Sequence, residues 1–126
     1  MITITKEQVL LLHKSIYERY GGSYGVRDED LLDSALEAPF QTFAGKDLYP
    51  MELDKIVRLG YGLISNHPFQ DGNKRIGALV LLTLLELNGY EIRATNKEYA
   101  DVIYSVAAGC IYYDELLDWV ENQCFQ

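Results

Sequence analysis

Cysteine is scarce in this chain. Only two occur in 126 residues, Cys110 and Cys124, too few and too late for a disulfide framework or a metal knuckle. That usage fits a reducing compartment. Three prolines and ten glycines rule out fibrous and low-complexity compositions, and a 48% hydrophobic share rules out a disordered chain. Cations are also short: eleven Lys and Arg against nineteen Asp and Glu leave a net charge of −8. Such a balance argues against broad binding to nucleic acid or an anionic membrane. No basic stripe accompanies the ten tyrosines and Trp119; most of these fall beside aliphatics at helical spacing and read as core. Long apolar runs are absent as well, since Ile76 to Leu85 is broken by Gly77 and Thr83 and falls far short of the ~20 residues that span a bilayer. The opening MITITKEQ has no basic stretch followed by an apolar one, so no signal peptide is expected. The expectation is a cytoplasmic protein forming one domain over residues 1–126, without membrane or direct nucleic-acid contact.

What is present is helical punctuation. Thr5 and Gln8 have capping-box spacing, and Val9, Leu12, Ile16 and Tyr20 follow at helical intervals until Gly21-Gly22. His13 lies on the apolar side of this helix and reads as a hydrogen-bonded core histidine. Gly21 to Gly25 reads as a turn, because no Gly-Lys-Ser/Thr follows as a phosphate loop needs. Asp28 can cap a second helix that Pro39 ends, and Pro39 to Met51 mixes aromatics, Gly and Pro as a flap or short hairpin does. A third helix is predicted from Glu52 to about Asn66 and is closed by Pro68. IGALVLLTLLEL, apolar on nearly every side, belongs at the centre of a bundle and stops at Asn88-Gly89. Tyr90 to Arg93 is predicted as a short extended connection, Thr95 with Glu98 as the start of a helix ending near Gly109, and Asp114 to Gln123 as a last helix. The predicted fold is an all-α, compact helical bundle around a central buried helix, with a short flap before the third helix.

The chemistry concentrates in His67 to Arg75, HPFQDGNKR, immediately before that central helix. Gly72 permits a tight turn and Asn73 suits a helix start, so amides near Gly72 to Arg75 can point unpaired N–H groups outward, a natural seat for phosphate. Lys74 and Arg75 oppose the helix dipole at this end by ~0.3–1 kcal/mol, a cost that bound phosphates would offset. Arg75 can form planar bidentate hydrogen bonds and Lys74 supplies a mobile point charge. Asp71 offers a hard oxygen ligand for Mg²⁺, and His67 is the candidate general base. Phe69 reads as the anchor of the loop in the core. Each of these residues alone is commonplace before a helix; their combination has few joint structural explanations.

HPFQDGNKR also resembles the signature of the Fic/Doc fold, H-x-F-x-D/E-G/A-N-x-R, and the opening ITKEQVLLLHKSIYERYGGSYGVRDEDLLDSAL and the overall length resemble its death-on-curing branch. Against the adenylyltransferase spelling G-N-G-R-x-x-R, Lys74 replaces the second Gly and Ala78 the second Arg, which is the death-on-curing pattern; Pro68 and Gly72 are closer to the general Fic spelling. The resemblance implies a toxin of a toxin-antitoxin module. Its activity would be that of a kinase passing the γ-phosphate of ATP, with Mg²⁺, to a protein hydroxyl, expected to be a threonine of elongation factor Tu. In that reading His67 takes the proton, Asp71 orients Mg²⁺ or the base, and Asn73, Lys74 and Arg75 hold phosphates beside Gly72. Pro39 to Met51 would hold the target peptide. The segment 117–122, LDWVEN, lacks the Ser or Thr that opens the family's inhibitory motif, so restraint is expected from an antitoxin of prevent-host-death type in trans. The alternatives are a Fic-type AMP transferase and a non-catalytic antitoxin-binding module.

Overall fold

Reciprocal caps start two of the helices as the spacing predicts. The Thr5 hydroxyl accepts the Gln8 N–H at 3.2 Å while the Gln8 side chain accepts the Thr5 N–H at 2.8 Å. Thr95 and Glu98 repeat the arrangement at 3.1 and 3.0 Å, and the Asp28 carboxylate accepts the Leu31 N–H at 3.1 Å. In this computed structural model, which describes residues 1–125, the helices are α1 (Lys6–Tyr20), α2 (Glu29–Glu37), α3 (Glu52–Ser65), α4 (Asn73–Leu87), α5 (Asn96–Ala107) and α6 (Tyr113–Gln123). Thr95→Ala should cost about 1 kcal/mol and lower the urea midpoint of unfolding accordingly. The Thr95 N–H also holds the Glu98 carboxyl below its usual range. That contribution is present above the ordinary Glu pKa and is lost as pH falls through the depressed value; Thr95→Ala keeps the N–H and with it this pH dependence, whereas Glu98→Gln should remove it.

Pro39 ends α2 as expected, and Ala38–Phe40 continues as one 3-10 turn. The flap is a two-residue hairpin: β1 (Thr42–Phe43) pairs antiparallel with β2 (Lys46–Asp47), joined by Ala44 and Gly45 at φ 52° and 77°. Positive φ at both central residues is the geometry that matches strand twist in the tightest hairpins. Its foot is fastened to α3. Lys55 bonds the Asp47 carboxylate at 3.1 Å and the Tyr49 carbonyl, and Arg58 Nε donates to the Tyr49 hydroxyl at 3.0 Å.

The core forms where α4 lies against α3, α1 and α5, burying Ile76, Val80, Leu81, Leu84 and Leu85. Glycine sets the α3–α4 approach. A Cβ on Gly60 would stand 3.0 Å from the Leu81 Cβ, and one on Gly77 would overlap the Ile64 side chain and stand 3.1 Å from the Gly60 carbonyl. Tyr99 ties α5 to the same helix by donating its hydroxyl to the Ala78 carbonyl at 2.6 Å, and burial pushes its phenol well above the ordinary range. The extended connection predicted at Tyr90 to Arg93 is β3 (Glu91–Ile92). It pairs antiparallel with β4 (Cys124–Phe125), a partnership that no local pattern announces. Among the described residues, no helix is long and apolar enough to cross a membrane.

Candidate active site

The site is the loop between α3 and α4. Pro68 and Phe69 are buried, Phe69 to 1% exposure, so the loop is pinned by its apolar residues while His67, Gln70 and Asp71 stay exposed on either side. Asn73 reaches back over the loop: its side-chain oxygen accepts the Phe69 N–H at 2.9 Å and its amide donates to the Phe69 carbonyl at 3.1 Å. The helix cap itself is Gly72, left-handed at φ 76°, and its N–H is taken by the Asp71 carboxylate at 2.8 Å. Among the described residues, the next three amides, of Asn73, Lys74 and Arg75, have no acceptor. They are the unpaired donors that a helix start leaves for an anion.

These amides open onto a pocket of about 350 Å³ lined by His67, Gln70, Asp71, Gly72, Asn73, Lys74, Arg75 and Ala107. All six residues singled out from the sequence therefore meet in one place. For Asn73 the side chain is anchored at both ends to Phe69, and its main-chain N–H is among the unpaired donors. Neither Lys74 nor Arg75 has a carboxylate within 4 Å among the described residues, whereas Lys6, Lys14, Lys55 and Lys97 each do. Instead, the Lys74 Nζ stands 5.1 Å from the Tyr104 ring centroid and the Arg75 guanidinium 4.2 Å from that of Tyr20. Aromatic faces hold both cations without neutralising them, so their charge is available to a ligand.

Asp71 is the sole carboxylate lining the pocket, and no group of three or more His, Cys, Asp and Glu residues that could hold a metal occurs among the described residues. A single carboxylate on an open loop beside a phosphate seat fits Mg²⁺, which is commonly held by one or two carboxylates together with substrate phosphates.

Several positioning residues escaped the sequence reading. His67 has a left-handed backbone at φ 49°, a conformation that needs support in a residue with a Cβ. Arg27 supplies it. Its Nε and one Nη donate to the His67 carbonyl at 2.9 and 2.6 Å, and the same Nη to the Asn66 carbonyl at 3.3 Å. The N–H groups of Arg27 and Asp28 both donate to the Pro68 carbonyl at 2.8 and 3.1 Å, and Gln70 N–H donates to Gly25 at 3.0 Å. The segment after α1 is thus zipped along the whole loop. His13 is buried, as expected, and it also donates from Nε2 to the Asp71 carbonyl at 2.7 Å while stacking on Phe69 at 3.8 Å. The glycine cluster after α1 was the available signal: Gly22, at φ 94°, lies so close to Asp71 that any Cβ there would run into the carboxylate. The cluster is a turn, as read: Gly22 gives way to Asp71, while Gly21 and Gly25, at φ 76° and 105° with open space around them, serve its left-handed backbone.

Comparison with known proteins adds a family. A relative named Toxin Doc, from Mycolicibacterium smegmatis (strain ATCC 700084 / mc(2)155), is 41% identical over 75 residues, 60% of this chain and 58% of that protein. This chain therefore matches less than two thirds of that relative's length. The sequence model of the Fic/DOC family matches residues 3–85, from just before α1 through nearly all of α4. With the whole loop and its anion seat inside the matched stretch, the chain belongs to the Fic/DOC family.

Proposed function

We propose that this protein is a toxin-type protein phosphotransferase, passing the γ-phosphate of ATP to a hydroxyl of a translation factor. One observation carries the reading: three unpaired amides and two carboxylate-free cations converge on a pocket that also presents an exposed His67. Lys74 and Ala78, where an adenylyltransferase has Gly and Arg, favour phosphoryl over AMP transfer. The name of the relative from Mycolicibacterium smegmatis supports the toxin role. It also supports an antitoxin partner, for which the prevent-host-death type is the proposal, and elongation factor Tu is the proposed target through a threonine.

In this mechanism neutral His67 accepts the proton of the target hydroxyl as its oxygen attacks the γ-phosphorus. The bond from that phosphorus to the β–γ bridging oxygen breaks, and ADP leaves with the bond's electrons. The N–H groups of Asn73, Lys74 and Arg75, with the Lys74 and Arg75 side chains, stabilise charge on the phosphoryl oxygens, which is most of what such a reaction asks of a protein. Asp71 would hold Mg²⁺, which would supply further positive charge to offset that of the phosphates. Arg27, His13 and Asn73 keep the loop in the geometry that lets His67 and the seat act together.

The β1–β2 hairpin exposes Phe43 at its tip and a strand edge beside it, and it is proposed to hold the target in extended form by main-chain pairing. Exchanging residues 42–47 for a Gly-Ser linker should abolish target modification and leave ATP affinity unchanged by calorimetry. Unchanged modification would remove the hairpin from the mechanism. The function itself is tested by intact-mass analysis of elongation factor Tu incubated with the protein, Mg²⁺ and ATP. A gain of one phosphoryl group supports the reading, a gain of one AMP replaces it with AMP transfer, and an unchanged mass overturns it for this target.

A further inference from the structure

The β1–β2 hairpin has two unlike faces. Thr42 stands opposite Asp47 and Phe43 opposite Lys46, and directly opposite residues share a face. The Asp47 carboxylate is held by Lys55 of α3 at 3.1 Å, so the face of Thr42 and Asp47 looks toward that helix and the face of Phe43 and Lys46 looks away from it. Leu48 extends the outer face. Its N–H donates to the Gln41 carbonyl at 3.0 Å, which carries the pairing one step further, and it follows Lys46 by two positions. Phe43 is 76% exposed and Leu48 52%, so two large apolar side chains lie uncovered there.

Lys46, beside both, differs from every other cation in the chain. Of eleven Lys and Arg side chains it alone, among the described residues, meets no carboxylate within 4 Å, no hydrogen-bond acceptor and no aromatic ring. Four lysines pair with carboxylates, Arg27 donates to carbonyls, and five cations stand over aromatic rings. With nineteen acidic residues in the chain, no shortage of anions explains the exception.

We infer that this outer face selects the target by its side chains, favouring an extended segment in which an acidic and an apolar residue alternate. The acid meets Lys46, and the apolar side chain meets Phe43 or Leu48. The inference rests on the hairpin as the holder of the target and adds what the held segment must carry. Main-chain pairing is blind to sequence, so the choice among segments falls to side chains. A strand added at either edge of the hairpin places every second side chain on the outer face, beside this set. Opposite charges and apolar pairs across strands are favourable and like charges are not, so the same lysine turns away a basic segment.

Fluorescence anisotropy without ATP tests this. A labelled peptide repeating Thr-Glu-Thr-Ile sets Glu and Ile on one face, and twins replace Glu by Lys or Ile by Ser. Wild-type protein should bind the parent about fivefold tighter than the Lys twin and about threefold tighter than the Ser twin. Lys46→Glu should shift the first ratio about tenfold toward the Lys twin, and added salt should shrink the wild-type preference. Phe43→Ala should weaken the parent by about threefold and leave the Ser twin within about twofold of wild type. Both positions are exposed, so neither change disturbs the core. Lys14→Glu makes the same change of net charge on α1 and should leave the ratios as they are. An equal shift from Lys14→Glu means that total charge is sensed and overturns the inference. So does wild-type protein that binds no peptide or binds the twins as tightly as the parent, or a Lys46→Glu protein that keeps the wild-type ratio. Wild-type protein that takes up no Mg²⁺-ATP in calorimetry overturns the phosphotransferase reading and leaves this selectivity standing.

Discussion

His67→Ala should reduce modification of the target by a factor of ~10²–10⁴, the usual contribution of a positioned general base, while ATP affinity changes little. The seat for the phosphates is built from the amides and cations at the start of α4, none of which depends on the imidazole. Initial rates from intact-mass analysis, set beside calorimetric ATP affinity, separate the two effects. A loss of both together would mean that His67 supports the loop and does not act on the proton. Stability adds a second check. His67 sits at φ 49°, where a residue with a Cβ is strained and Gly is not, so His67→Gly should be inactive yet stay within about 1 kcal/mol of wild-type stability.

Gly77→Val should cost about 3 kcal/mol or more in urea unfolding, the upper end for overpacking a tight core. The space is taken, because even the first carbon would overlap Ile64 and crowd the Gly60 carbonyl. Gly77→Ala makes the same collision with less volume and recovers up to ~1 kcal/mol of helix propensity, so it should be clearly milder. Any relief must come from moving α4 away from α3, and that shift carries the amides of Asn73, Lys74 and Arg75 with it. Where the valine protein still folds, ATP binding should therefore weaken alongside stability. A valine variant as stable as wild type would show that the two helices are not in fact held at glycine distance.

The features legible in the sequence were those written locally. Thr5 with Gln8 and Thr95 with Glu98 mark helix starts because both halves of each box lie within one turn. The near-continuous apolarity from Ile76 to Leu85 marks the central helix, whose Ile76, Val80, Leu81, Leu84 and Leu85 face is fully buried while Ala78, Leu79, Leu82 and Thr83 are half-buried. The motif from His67 to Arg75 was legible as chemistry for the same reason: nine adjacent residues carry it. What was not legible depends on partners far along the chain. Arg27 looks like an ordinary surface cation until it is found forty positions away from the His67 carbonyl it holds. His13 was correctly placed in the core, but nothing in its own helix names Asp71 as its acceptor. The β3–β4 pair escaped because two-residue strands have no periodicity to read. For Asn73, the phosphate role implied by the resemblance falls to its main-chain N–H, because its side chain closes the loop onto Phe69, a contact no local pattern announces.

The zipping of residues 25–28 along residues 67–70 has a consequence for the order in which the molecule assembles. These hydrogen bonds join parts of the chain separated by about forty positions, so they can close only after α1, α2 and α3 have come together. An isolated peptide spanning α3, the loop and α4 would hold every residue of the motif and still lack the turn at His67. Amide hydrogens of Arg27, Asp28 and Gln70 should accordingly exchange with solvent only in step with opening of the whole bundle. The motif belongs to a short stretch of sequence, but its working geometry belongs to the completed fold.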